Sequence, residues 1–117
     1  MVEVEAARFE ELVADALDDI PEALGRLIDN VAVFVADRGP PGLLGLYEGI
    51  PLTSRAGYGT PVNGLPMPDR ITIYRHAICA HSRDDADVVR QVRVTVIHEV
   101  AHHFGISDAR LHELGWA

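Results

Sequence analysis

The chain has 117 residues, 48% of them hydrophobic and 24% charged, which suits one globular domain with a single modest core. Its formal net charge is −8 and its ten basic residues are all arginine, with no basic run; that argues against a nucleic-acid partner, whose phosphates need clustered positive charge. No apolar run approaches membrane-spanning length, and a single cysteine, Cys79, excludes an internal disulfide. The acidic start Met1-Val2-Glu3-Val4-Glu5 lacks the basic region of a secretory signal, so the expected setting is the cytoplasm, with no membrane partner and a monomeric chain.

Residues 3–19 carry Phe9, Leu12, Val13, Ala16 and Leu17 at spacings of three and four, which predicts an amphipathic helix with an acidic outer face. Ile20-Pro21 breaks it, and Pro21 opens a second helix over Glu22 to Ile28. Val31 to Asp37 is a β-rich apolar run of strand length, closed by Gly39-Pro40-Pro41-Gly42. Leu43 to Tyr47 reads as a second short strand, and 48–69 as a long loop rich in Gly, Pro, Ser, Thr and Asn. Ile71-Thr72-Ile73-Tyr74 alternates as a third strand, followed by a helical turn between His76 and His81.

Asp84-Asp85-Ala86-Asp87 supplies an N-cap and an acidic first turn for a long helix from about Asp85 to Phe104. Val88, Val89, Val92, Val96, Val100 and Phe104 are its expected buried stripe, Gly105 its left-handed C-terminal residue, and Ser107 the cap of a last short helix. With no repeat or linker, this order predicts one α+β domain over 1–117, a short sheet packed on the long helix.

That helix contains His98-Glu99-Val100-Ala101-His102, extended by Gly105 and Asp108 into H-E-x-x-H-x-x-G-x-x-D. A string this specific arises by chance with a probability of about 0.0002 in a chain of this composition. Histidines four apart on a helix share a face, separated by about 6 Å along the axis, so both imidazoles reach one zinc ion. A hydrolytic zinc takes three protein ligands and keeps a fourth position for water. Gly105 lets the chain turn, and Asp108 then offers a carboxylate as third ligand; His112, four residues on, is the rival or the supporting partner for that role. Glu99 is too close to the ligands in sequence to need to coordinate, and its natural role is general base toward the zinc-bound water.

Other candidates are weaker. His103 lies about 140° around the helix from His98, so it is expected to face solvent or to contact groups behind the ligands. His76, Cys79 and His81 match no structural-zinc spacing and read as a packed turn with a buried thiol. Tyr58 and Tyr74 are phenols that would suit an oxyanion, although Tyr74 on a strand reads more simply as packing.

The segment His98 to Asp108 resembles the zincin metallopeptidases, in the branch with aspartate as third ligand. Leu44-Gly45-Leu46-Tyr47-Glu48-Gly49, Pro51-Leu52-Thr53, Asp69 to Arg75 and His112-Glu113-Leu114-Gly115-Trp116 narrow the resemblance to the minimal zincins, over most of residues 35–117. The resemblance implies a zincin-like fold with a short mixed three-stranded sheet over the motif helix. It implies Zn2+ at His98, His102 and Asp108, with Glu99 catalytic. It also implies an edge strand that binds extended peptide by strand addition, for which Ile71 to Tyr74 is the candidate. No methionine turn follows the third ligand, and Trp116 is the candidate floor of the site instead. The expected function is hydrolysis of peptide bonds in peptides or unfolded proteins. The alternatives are a non-catalytic zinc-binding interaction module and, on weaker grounds, a zinc-dependent RNA hydrolase; Glu99, Asp108 and the negative charge count against the latter.

Overall fold

The computed structural model describes residues 2–20, 22–25, 31–49 and 69–113, with the backbone alone for 23, 24 and 108. The first helix, α1, is Ala6–Asp18, and its apolar positions Phe9, Leu12, Val13 and Ala16 are buried as their spacing predicts. A single turn, α2, covers Glu22–Gly25, so the rest of the expected second helix lies outside the described residues. Three strands follow: β1, Val31–Ala36; β2, Gly45–Glu48; and β3, Asp69–Tyr74. Then come α3, Arg75–Ala80; the long helix α4, Asp85–Phe104; and α5, Asp108–Glu113. No helix among the described residues is long and apolar enough to cross a membrane.

The strands form one mixed sheet in the order β1-β3-β2. β3 runs parallel to β1, with Val33 opposite Ile71, and antiparallel to β2, with Tyr47 opposite Ile71. This corrects the expectation that Ile71 to Tyr74 is the edge strand. β3 is central, and its backbone groups are engaged in ladders on both sides. The strand last in sequence inserts between the two earlier ones, an order that hydrophobic alternation cannot encode because it reports faces and not neighbours. Within the described sheet β2 is an edge, and it is the edge beside α4.

Side chains alternate across β3. Ile71 and Ile73 turn into the core, joined by Phe9, Leu12, Val13 and Ala16 of α1 and by Val88, Val92, Val96 and Val100 of α4. On α4 the stripe falls as expected at 88, 92, 96 and 100, whereas Val89 is 39% exposed. It stands about 100° from Val88 and so leaves the buried face. Tyr74 alternates away from Ile71 and Ile73, and its ring lies where a Cβ on Gly39 would meet it, so it is a packing residue.

The termini of α4 are set by its own sequence. Asp84 Oδ1 accepts from the Asp87 backbone N–H (2.8 Å), and Asp87 Oδ2 accepts from the Arg83 N–H (2.9 Å), a reciprocal cap of otherwise unpaired donors. At the other end Gly105 sits at φ 72°, ψ 24°, where a Cβ would be strained, and its N–H returns to the carbonyls of Ala101 and His102. Ser107 then starts α5, its Oγ accepting from the Arg110 N–H (3.2 Å).

Candidate metal centre

The position of α4 against β2 builds the site. Gly45 faces α4 at Thr95 and Glu99: a Cβ there would lie 2.8 Å from Thr95 Cγ2 and 3.1 Å from Glu99 Cγ. Two residues along the strand, the Tyr47 ring meets His102 and His103 edge-on, with centroids 6.3 and 6.2 Å apart. Two strand residues rise about 6.6 Å and four helical residues about 6.0 Å, so strand and helix stay in step. Glycine removes the side chain that would otherwise meet Thr95 and Glu99.

His98 and His102 occupy successive turns of α4, on one face, as their spacing requires. His98 is half-buried, and the His102 side chain is 46% exposed. Glu99 is buried at 8% exposure between them, and its Oε1 lies 3.1 Å from His102 Nδ1. With the carboxylate ionised it accepts from Nδ1–H, which leaves the Nε2 lone pair of His102 available to a cation.

Asp108 begins α5, immediately past the Gly105 turn, and its side chain lies outside the described residues. His112 is exposed on α5. Among the described residues, of which the Asp108 side chain is not one, no three His, Cys, Asp or Glu side chains gather in metal-binding geometry. The donor types fit a zinc ion: two imidazoles on one helical face, one with its Nδ1 beside a carboxylate, next to a sharp turn that leads to a further acidic residue.

Behind this face lies a cluster that sequence reasoning missed. Of the two expectations for His103 the second holds: it contacts groups behind the ligand face, fully buried, with its Nδ1 2.8 Å from Asp69 Oδ2. Asp69, assigned from sequence to the loop, is the first residue of β3 and 4% exposed. The Tyr47 hydroxyl donates to the same Oδ2. Burial of a carboxylate and an imidazole is tolerable because they pair with each other and with a hydroxyl. The signal was present in the alternation: Asp69 shares its strand face with Ile71 and Ile73, a place where an acid must find a partner.

The tyrosine beside the motif is therefore Tyr47. Tyr58 and Trp116 lie outside the described residues, and Tyr74 is packed against Gly39. Cys79 is a buried thiol between exposed His76 and His81, consistent with the packed turn expected there.

A family model described as zincin-like metallopeptidase matches residues 28–116, more than two thirds of the chain. The chain belongs to the zincin-like metallopeptidase family. No curated protein sequence matches it. Among solved structures this zincin-like chain is similar to a conserved hypothetical protein from Thermo thermophilus, at 24% identity and a TM-score of 0.54. That match covers 95% of this chain and 97% of the other. At such identity the likeness speaks for the fold, which the two share almost end to end.

Proposed function

We propose that this zincin-like protein is a zinc-dependent metallopeptidase in which His98, His102 and Asp108 hold the metal and Glu99 is the general base. The observation that carries the reading is the placement of the Glu99 carboxylate. It is buried on α4 next to His98, within 3.1 Å of His102 Nδ1, and set against β2, an edge of the described sheet. Zinc, when bound, makes water acidic enough to be deprotonated near neutral pH and polarises a carbonyl. Glu99 takes the proton of the attacking water and returns it to the leaving amine.

The substrate is an extended peptide or unfolded segment lying along β2, which within the described sheet is the edge beside α4 and so the place for strand addition. A substrate that lies extended along β2 to reach the site is a flexible chain rather than a folded one. A single buried thiol, Cys79, suits a reducing compartment such as the cytoplasm.

The test pairs metal analysis with cleavage of a peptide library by the wild type and by Glu99→Gln. Glu99→Gln should keep its zinc and lose turnover by about 10²–10⁴-fold, the usual contribution of a positioned general base. Stoichiometric zinc with no cleavage by the wild type would overturn the peptidase reading in favour of a zinc-binding interaction module.

A further inference from the structure

We propose that Tyr47, Asp69 and His103 act together as a positioning device for the metal site, setting the roll of the last turn of α4 and with it the aim of His102. The proposal rests on the metal-binding reading given above and adds three residues to it.

The motif helix carries two interleaved pairs four apart, His98 with His102 and Glu99 with His103. The first pair lies at the accessible face, whereas His103 is fully buried. Its imidazole meets Asp69 at the start of the central strand, 2.8 Å away. Tyr47, on the neighbouring strand, donates to the same carboxylate oxygen, and its ring stands edge-on to both His102 and His103, at interplanar angles of 63°. One carboxylate thus ties the end of α4 to two strands, and the tyrosine ring that completes the tie also touches a proposed ligand.

The geometry explains why such a tie matters here. Gly105 ends the helix one turn beyond His102 in a conformation that frees the chain to turn, so the last turn has a helical neighbour on one side only. A 20° roll of that turn would carry an imidazole nitrogen, about 6 Å from the axis, through roughly 2 Å. Ligand distances at a metal are held to about 0.2 Å. Apolar packing alone tolerates small rolls, because dispersion is not directional; two hydrogen bonds converging on one oxygen are.

The measurement is zinc affinity by competition with a chromophoric chelator, with the absorption envelope of the cobalt-substituted protein as a report on ligand geometry. Tyr47→Phe removes one hydroxyl and leaves the ring packing in place. It should weaken zinc binding about tenfold and alter the cobalt spectrum, at a temperature where the fold is intact by circular dichroism. Asp69→Asn should do the same or more. Asp87→Asn, which alters a buried carboxylate at the opposite end of α4, should lower stability and leave zinc affinity and spectrum unchanged. Wild-type affinity and spectrum in both Tyr47→Phe and Asp69→Asn would overturn the positioning role while the metal site stands. A wild-type chain that takes up no zinc would remove the site and this inference together.

Discussion

Gly45 is where a side chain on β2 would run into α4, and replacing it with alanine tests the packing that brings Glu99 to β2. A methyl at this position would stand 2.8 Å from Thr95 Cγ2, 3.1 Å from Glu99 Cγ and 3.3 Å from the Thr72 carbonyl oxygen. Comfortable carbon contacts need about 3.5–4.0 Å, so the shortfall at Thr95 is roughly 0.7–1.2 Å. Thr95 is buried on α4 and β-branched, with few alternative rotamers, and Thr72 presents backbone. The helix must therefore back away from the strand. Overpacking of this kind costs about 1–3 kcal/mol, and Gly→Ala returns about 0.4–1 kcal/mol by restricting the unfolded chain. The expected net loss is about 1–2 kcal/mol, read as a lower urea midpoint at constant slope and a fall of roughly 4–10 °C in Tm.

A second substitution makes the reasoning specific. Thr95→Ser deletes the offending methyl and keeps the hydroxyl; alone it costs about 1 kcal/mol for the lost buried methyl. In Gly45→Ala/Thr95→Ser the new methyl occupies part of the vacated space, so the double variant should lose about 1 kcal/mol less than the sum of the singles. The rescue is partial, because Glu99 Cγ and the Thr72 carbonyl remain close. Strictly additive losses, or a Gly45→Ala protein as stable as the wild type, would refute the claimed contact between β2 and α4.

Two further positions probe the ends of the motif helix. Gly105→Ala forces a Cβ into a left-handed backbone (φ 72°) and should cost about 1 kcal/mol by urea unfolding, while Gly105→Asn, which tolerates that region, should cost less. Asp87 has its carboxyl held below the ordinary 3.8, first by the hydrogen bond from the Arg83 backbone N–H and then by the Arg90 side chain. A depressed carboxylate contributes stability that is present above its unfolded pKa and lost as pH falls through its folded value. Wild-type stability should therefore fall with acid below about pH 4 more steeply than that of Asp87→Asn, and parallel pH–stability curves for the two would contradict this.

Much of the architecture is written locally. The bounds of α4 follow from an aspartate that caps and a glycine that turns, groups that act within four residues of their own position. The buried face of α1 follows from the spacing of Phe9, Leu12, Val13 and Ala16. The same short range makes the H-E-x-x-H pair legible, because the helix alone brings His98 and His102 to one face. Strand order is another matter. β3 lies between β1 and β2 although it comes after both, since pairing depends on contacts across more than twenty residues that no periodicity records.

The fate of His103 separates the two kinds of information most clearly. Its angle on the helix says only that it points away from His98; whether that direction holds water or protein depends on what the sheet places there. The sheet places Asp69 and Tyr47, from strands 34 and 56 residues upstream, and the polar ring becomes one of the most deeply buried side chains in the domain. Local chemistry was enough to propose which residues meet a cation and why a glutamate stands between them. The wall beside that glutamate, and the buried carboxylate that steadies the turn behind it, exist only once distant segments have packed, because burial and pairing are properties of neighbours in space.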